Sequence, residues 1–363
     1  MKILHVITSL YTGGAEKLMV DLLPQLRDKN LNVELLLFDG TETPFRREVE
    51  GKGIKVYDFG CGGSVYSPIR FIKLLSFLRK YDIVHTHNTA PQLFAAIGSV
   101  VCSVVLCTTE HTTSNRRRGW KWYAPIDRWM YNRYKKVICI SKKAEENLRK
   151  HIGHSKADIS TINNGVDIIK YSKASASTEL EKISPRCRKI IMVAGFRWEK
   201  DQDTLIKALK HLPAYFHLFL VGNGIRRVEL EALANSEKMM ERVHFLGLRQ
   251  DVPNLLHASD YVVMSSHFEG LSLSSVEGMS VGKPLLASNV DGLREVVKDA
   301  GILFEHQNAK ELADKILELE CNPSLYKQVA SQCYEKAKEY DISLMVDNYY
   351  NEYQKIINNN SML

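Results

Sequence analysis

The chain has 363 residues, 45% hydrophobic and 25% charged, with a formal net charge of +7. This is the composition of a soluble globular protein, and the length favours two domains over one core. No stretch approaches the ~18 uninterrupted apolar residues of a spanning helix, and the start "MKILHVITSLYTGGAEK" is too short in apolar residues for a secretory signal. The seven cysteines are scattered without a Cys-x-x-Cys pair. They read as buried free thiols of a reducing compartment, neither disulfides nor a zinc site.

In chain order, the first half alternates short β-branched apolar runs with helix-like stretches. The strands are predicted at 2–8, 32–38, 54–59, 82–87, 103–109 and 136–141, and helices at Ala15–Arg27, Pro68–Lys80, Ala90–Val100 and Lys142–His151. Between the last two strands, residues 116–136 hold eight Lys/Arg against the single acid Asp127, interleaved with Trp120, Trp122, Tyr123, Trp129, Tyr131 and Tyr134. That mixture suggests contact with an anionic membrane surface, or a solvated helix whose aromatics pack inward. No recognised nucleic-acid module accompanies it, so nucleic acid is not an expected partner.

"SKASASTELEKISPR" (172–186) breaks the alternation and reads as a linker. A second alternation follows, with strands at 189–195, 216–222, 242–247, 260–265, 283–288 and 301–304, then a wholly helical C-terminal part from about 308 to 357. The expected architecture is α/β, two doubly wound Rossmann-like domains spanning 1–171 and 189–340, joined by 172–188. Residues 341–363 are expected to form a helix packing back toward the first domain. A ligand is expected in the crevice between the two sheets, at the carboxyl ends of the strands.

The loops after the strands carry the candidate ligand contacts. Gly13-Gly14 opens a helix after the first strand, and "VGNGIRR" places Gly222 in a Gly-x-Gly; neither completes a dinucleotide or P-loop fingerprint. "HFEGLSLSSVEGMSVGKPLLAS" (267–288) sets Glu269 and Glu277 eight positions apart around a helix start near Ser274. Backbone N–H groups at such a start suit a diphosphate, and a carboxylate suits a ribose diol. The competing reading is a capping box, Ser274 as N-cap and Glu277 at N3, in which Glu277 binds nothing.

The same segment, with its E-x7-E spacing followed by "GMSVGKPLLASNVDGLREVV", resembles the donor-site signature of retaining glycosyltransferases of family 4, which have the GT-B fold. The resemblance continues through "GGAE", "DIVHTHN", "TTEH", "ICIS", "TINNGVD", "VAGFRWEKDQDTLIKAL", "LVGNG" and "FLGLRQDVPNLLHASD". It implies a donor nucleotide-diphosphate sugar, no metal or other cofactor, and a glycan or lipid-linked glycan acceptor. Glu277 would hold the nucleotide ribose and Glu269 the donor sugar. Amides of Gly270, Leu271, Ser272, Leu273 and Ser274 would hold sugar and phosphate oxygens. Gly14, Gly222 and Gly247 would line the donor, with "LGLRQD" (246–251) near the base.

Lys200 matches the family's leaving-group lysine, whereas Gly195 stands where its partner arginine is expected and Arg197, two positions on, is the substitute. His111 in "TTEH" matches a histidine at the sugar. "DQD" (201–203) mimics the metal motif of another glycosyltransferase fold, but Asp203 reads as a helix N-cap. His85 and His87 are assigned to structure or acceptor contacts. The implied setting is bacterial surface-polysaccharide synthesis by a cytoplasmic protein, peripheral on the inner membrane face. The alternatives are a non-catalytic partner subunit and a sugar-nucleotide epimerase of the same fold.

Overall fold

The computed structural model describes residues 1–11, 13–112, 123–183 and 185–360. The chain divides into unit 1, Met1–Asn164 with Ile342–Leu363, and unit 2, Gly165–Asp341.

Unit 1 is built on a parallel sheet of β1 (Lys2–Ile7), β2 (Asn32–Leu37), β3 (Lys55–Asp58), β4 (Ile83–His87), β5 (Val105–Glu110), β6 (Lys136–Cys139) and β7 (Asp158–Thr161), in the order β3-β2-β1-β4-β5-β6-β7. Apolar side chains from both sheet faces enter two separate cores, so the central strands read as continuous hydrophobic runs. β7 was not predicted: "DIST" at the sheet edge has only Ile159 buried, which leaves too little apolar signal. The helix Gly14–Asp28 contains Pro24, which cannot donate to the carbonyl of Val20. Lys52 Nζ takes that carbonyl instead, at 3.3 Å.

The C-terminal helix Ile342–Asn360 belongs to unit 1. Met345, Val346, Tyr349, Tyr353 and Ile356 are buried in one of its cores, and Glu352 pairs with the buried Lys136 at 2.8 Å.

Unit 2 has β8 (Arg188–Val193), β9 (Phe216–Val221), β10 (Val243–Gly247), β11 (Tyr261–Met264), β12 (Leu285–Ser288) and β13 (Ile302–Phe304), parallel in the order β10-β9-β8-β11-β12-β13. The expected linker is part of this unit. Val166, Ile168 and Tyr171 enter its core, and so does Leu180 from a short helix, Glu179–Ile183. The polar composition of 172–186 conceals the few apolar residues that anchor it, and the division falls at 164/165 instead of 171/172.

The basic aromatic stretch is resolved into parts. Residues 116–122 lie outside the described residues. Beyond them, Tyr131 and Tyr134 are buried, while Trp129 and Ile126 on the helix Ala124–Tyr131 are exposed. All seven cysteines are free; Cys61 and Cys321 are exposed rather than buried.

Candidate functional site

Each sheet reverses its winding once, between β1 and β4 in unit 1 and between β8 and β11 in unit 2. Chain leaving two adjacent strands at such a point diverges and opens a crevice at their carboxyl ends. In unit 2 the loops concerned are 194–201 after β8 and 265–272 after β11. They are braced together. Ser265 Oγ donates to the carbonyls of Lys200 (3.1 Å) and Asp201 (2.6 Å), and the His267 amide donates to the carbonyl of Glu199 (2.8 Å).

Across this brace Lys200 Nζ meets Glu269 Oε1 at 2.5 Å, and Ser266 Oγ donates to the same oxygen at 2.7 Å. The two charged side chains are 18% and 11% exposed, so their attraction is only partly screened by water. The Glu269 amide donates to Asp291, and Gly292 presses against this segment. A Cβ at Gly292 would stand 2.2 Å from the Glu269 carbonyl oxygen, and its φ is +83°. Only glycine satisfies both conditions.

After Glu269 the backbone N–H groups of Gly270, Leu271, Ser272, Leu273 and Ser274 have no hydrogen-bond partner among the described residues. The helix Leu273–Ser280 starts two residues earlier than the capping-box reading requires. Ser272 is the N-cap, its Oγ accepting from the Ser275 amide at 3.3 Å. N3 is therefore Ser275, and Glu277 lies at the fifth helical position, half-buried, beyond the reach that defines a capping box. Ser274 sits inside the helix, where it cannot cap.

The other predicted residues fall as follows. Arg197 is exposed on the β8 loop and has no ion-pair partner among the described residues. Asp203 is not the N-cap. That position belongs to Asp201, left-handed at φ +48°, and Asp203 in the first turn grips Arg226 through two bonds of 2.7 and 3.0 Å. Gly222 ends β9 at φ +141°, where a Cβ would collide with the Ala194 carbonyl at 2.0 Å. Gly247 closes β10.

Gly14 and His111 belong to unit 1. Gly14 opens the helix after β1, and His111 follows β5 with its Nε2 2.8 Å from Nδ1 of the buried His87. His85 is buried as well, hydrogen-bonded to Tyr353 and Thr109, which gives it a structural role.

Among the described residues one group has the donor set of a metal site. Asp201, His267 and His306 offer ligand atoms within 4.8 Å of one another. His267 Nδ1 is 2.6 Å from His306 Nε2, while Asp201 accepts from Thr204 Oγ1 at 2.7 Å and burial raises its carboxyl above the ordinary range.

These features coincide with two family matches. Residues 12–170 match the model described as Glycosyltransferase Family 4, and residues 179–339 match Glycosyl transferases group 1. The chain belongs to the family 4 glycosyltransferases. Over 257 residues, 66% of each chain, this glycosyltransferase is 30% identical to the Escherichia coli UDP-Gal:alpha-D-GlcNAc-diphosphoundecaprenol alpha-1,3-galactosyltransferase. It is 24% identical to the putative glycosyltransferase EpsF of Bacillus subtilis, over 83% of its own length and 82% of that chain. In structure it resembles Anabaena HepE, solved in complex with UDP, with a TM-score of 0.85 at 23% identity, covering 98% of this chain and all of the other. The two parallel-sheet units are thus those of the GT-B fold.

Sequence reasoning missed several residues that shape the loops of unit 2. Ser265 and Ser266 are both fully buried, and two adjacent serines ending an apolar strand were the available signal. Gly292 lies in "NVDGLREVV", where its contact with Glu269 is purely tertiary. The approach of His306 to His267 has no local signature, because it depends on how β13 and β11 are placed in the sheet.

Proposed function

We propose that this glycosyltransferase moves a sugar from a nucleotide-diphosphate donor to a glycan or lipid-linked glycan acceptor, with retention of anomeric configuration and without a metal. The observation that carries the reading is the Lys200–Glu269 pair beside five unpartnered amides at the winding reversal of unit 2. The amides offer fixed donors to phosphate and sugar oxygens, at the positive end of a helix. Lys200, with Arg197 available on the same loop, stabilises the charge that develops on the leaving diphosphate. Glu269 accepts from sugar hydroxyls and stabilises positive charge at the anomeric carbon, and Glu277 takes the ribose hydroxyls. Gly222 and Gly247 end neighbouring strands and leave backbone exposed to the nucleotide.

Retention follows from front-face substitution. The anomeric carbon–phosphate oxygen bond breaks, the acceptor oxygen bonds to the same face, and the acceptor proton passes to the departing phosphate oxygen. With lysine, arginine and helix amides meeting the diphosphate, no metal is needed for charge neutralisation.

The printed names of similar proteins support a first choice of substrates. The Escherichia coli relative uses UDP-Gal and a diphosphoundecaprenol-linked acceptor, and a Campylobacter jejuni relative, 29% identical over 47% of this chain and 45% of its own, is also named for a diphospho-undecaprenol acceptor. Uridine sugars and a polyprenyl-diphosphate glycan are therefore the substrates proposed, in assembly of a bacterial surface polysaccharide. Exposed Trp129 and Ile126 beside basic residues support peripheral contact with an anionic membrane carrying that lipid.

The test is a panel of sugar nucleotides read by thermal shift, then transfer to a polyprenyl-diphosphate glycan by the wild type, Glu269→Gln and Glu277→Gln. Loss of transfer in both variants is expected. Full activity in both would remove the assignment, epimerisation of the donor without transfer would favour the epimerase reading, and absence of donor hydrolysis by the isolated chain would favour the non-catalytic partner subunit.

A further inference from the structure

In unit 1 seven side chains form one hydrogen-bonded row. His111 Nε2 lies 2.8 Å from His87 Nδ1, and His87 Nε2 lies 3.0 Å from His5 Nδ1. His5 Nε2 is 3.3 Å from the Tyr353 hydroxyl, which is 2.7 Å from His85 Nδ1. His85 Nε2 is 2.8 Å from Thr109 Oγ1, and that hydroxyl is 3.0 Å from the hydroxyl of Tyr349. β1, β4 and β5 each supply members, and the C-terminal helix supplies both tyrosines.

Burial keeps the four imidazoles neutral. It lowers His5 and His111 to about 3 and holds His85 and His87 well below the ordinary histidine value. A neutral imidazole has one N–H and one bare nitrogen, and each hydroxyl has one hydrogen. The row can therefore run unbroken in only two senses.

If His111 donates to His87, every later member donates onward and the row ends on the Tyr349 hydrogen. Tyr349 is fully buried, and Thr109 is its hydrogen-bond partner among the described residues. That hydrogen would be stranded in the core, as would a lone pair on His111 Nδ1. In the opposite sense Tyr349 donates to Thr109, Thr109 to His85, His85 to Tyr353, Tyr353 to His5, His5 to His87 and His87 to His111 Nε2. Every internal hydrogen is then used, and the proton of His111 resides on Nδ1. That nitrogen is itself buried and without a partner among the described residues, an unspent group at the end of β5.

We propose that the row holds His111 as its Nδ1–H tautomer, so that it donates a hydrogen bond to an oxygen of the bound sugar, with His87, His5, Tyr353, His85, Thr109 and Tyr349 as positioning residues. This rests on the reading that His111 touches the sugar. It assigns the ring a fixed direction: Nε2 already accepts from His87, so His111 is a donor to substrate and takes no proton from the acceptor. It also explains why the C-terminal helix returns two buried tyrosine hydroxyls to the first strands of the chain.

The experiment is a long-range proton–nitrogen correlation on protein labelled with nitrogen-15 histidine, with ring signals assigned by His→Asn replacement. His111 is expected as the Nδ1–H form in about tenfold or greater excess, the weight of one unmet buried hydroxyl. A predominant Nε2–H form would overturn the proposal. His87→Phe removes the donor that makes His111 Nε2 an acceptor, so the two tautomers should approach equal populations, with transfer falling in parallel. An unchanged ratio in a folded His87→Phe protein would also overturn it. His87→Leu, which removes the same donor with a smaller side chain, gives the same readout if His87→Phe does not fold. The sugar contact is tested separately: unchanged transfer in His111→Ala would remove it even where the Nδ1–H form is observed.

Discussion

Replacing Lys200 by Met tests the charged pair directly. Its partner Glu269 is only 11% exposed, and besides Lys200 the Ser266 hydroxyl holds it. Breaking a buried ion pair from one side costs about 3–5 kcal/mol. Because Ser266 remains and some solvent reaches the carboxylate, about 2–3 kcal/mol is the expected cost here. For a unit of this size that is a fall in Tm of about 5–10 °C. Glu269→Gln alone leaves the ammonium unpaired, and the double variant leaves neither charge. The double variant should therefore be more stable than the sum of the singles implies, by at least about 1 kcal/mol. Turnover behaves differently. All three variants should lose about 10²–10³-fold in kcat, without additivity, because both groups serve one transition state. Calorimetry and a coupled assay for nucleotide release supply the two readouts. Additive stability losses would refute the pair as an energetic unit, and a Lys200→Met enzyme within twofold of wild type would refute its role at the leaving group.

Three further outcomes are expected. Gly292→Ala places a methyl group against the Glu269 carbonyl at a φ of +83°, so transfer should collapse while the far-UV circular dichroism stays native; normal kcat would show that the Glu269 segment is not held from that side. Chelation with EDTA should leave transfer unchanged, and His306→Ala should do the same; loss of activity on chelation, restored by a transition metal and abolished by His306→Ala, would make Asp201, His267 and His306 a working metal site. Native His5 and His111 have lowered pKa values, so the unfolded chain binds their protons first: stability is complete above about pH 6.5 and is lost as pH falls toward 3, at up to about 1.4 kcal/mol per pH unit for each histidine. Calorimetric Tm should fall between pH 7 and 5, and His5→Asn should shrink that fall; an identical slope would show that the ring is charged in the native state.

What was legible in the sequence is what burial dictates locally. All six strands expected in unit 2 are present, because strands covered on both faces need unbroken apolar runs that nothing else in the chain imitates. β7 and the short helix Glu179–Ile183 escaped for the converse reason, each contributing one fully placed apolar residue among polar neighbours. Helix starts were less legible than helix bodies. Ser272, Ser274 and Ser275 are equivalent on paper, and Asp201 and Asp203 nearly so. The loop decides between them by where its backbone turns, and left-handed Asp201 has no spelling that distinguishes it from Asp203. The ion pair of Lys200 and Glu269 joins residues 69 apart. Its members were found through a motif, but their contact could come only from the adjacency of β8 and β11.

The two winding reversals share a topology and are made of opposite materials. In unit 2 the reversal carries a lysine, a glutamate and an exposed arginine, braced by buried serines. In unit 1 the loop after β1, "TSLYTGG", has no ionisable cation, and the loop after β4 is closed by Asn88, whose Oδ1 accepts from the Thr8 amide at 3.2 Å. Behind it stand histidines that burial keeps neutral. A leaving diphosphate gains about one unit of negative charge that neutral imidazoles cannot offset, whereas sugar hydroxyls need oriented donors and acceptors and gain little from net charge. The cations that developing charge requires lie in the loops of unit 2, and unit 1 offers neutral donors and acceptors suited to hydroxyls. A cation introduced among the unit 1 histidines would cost the fold the desolvation that the neutral rings avoid.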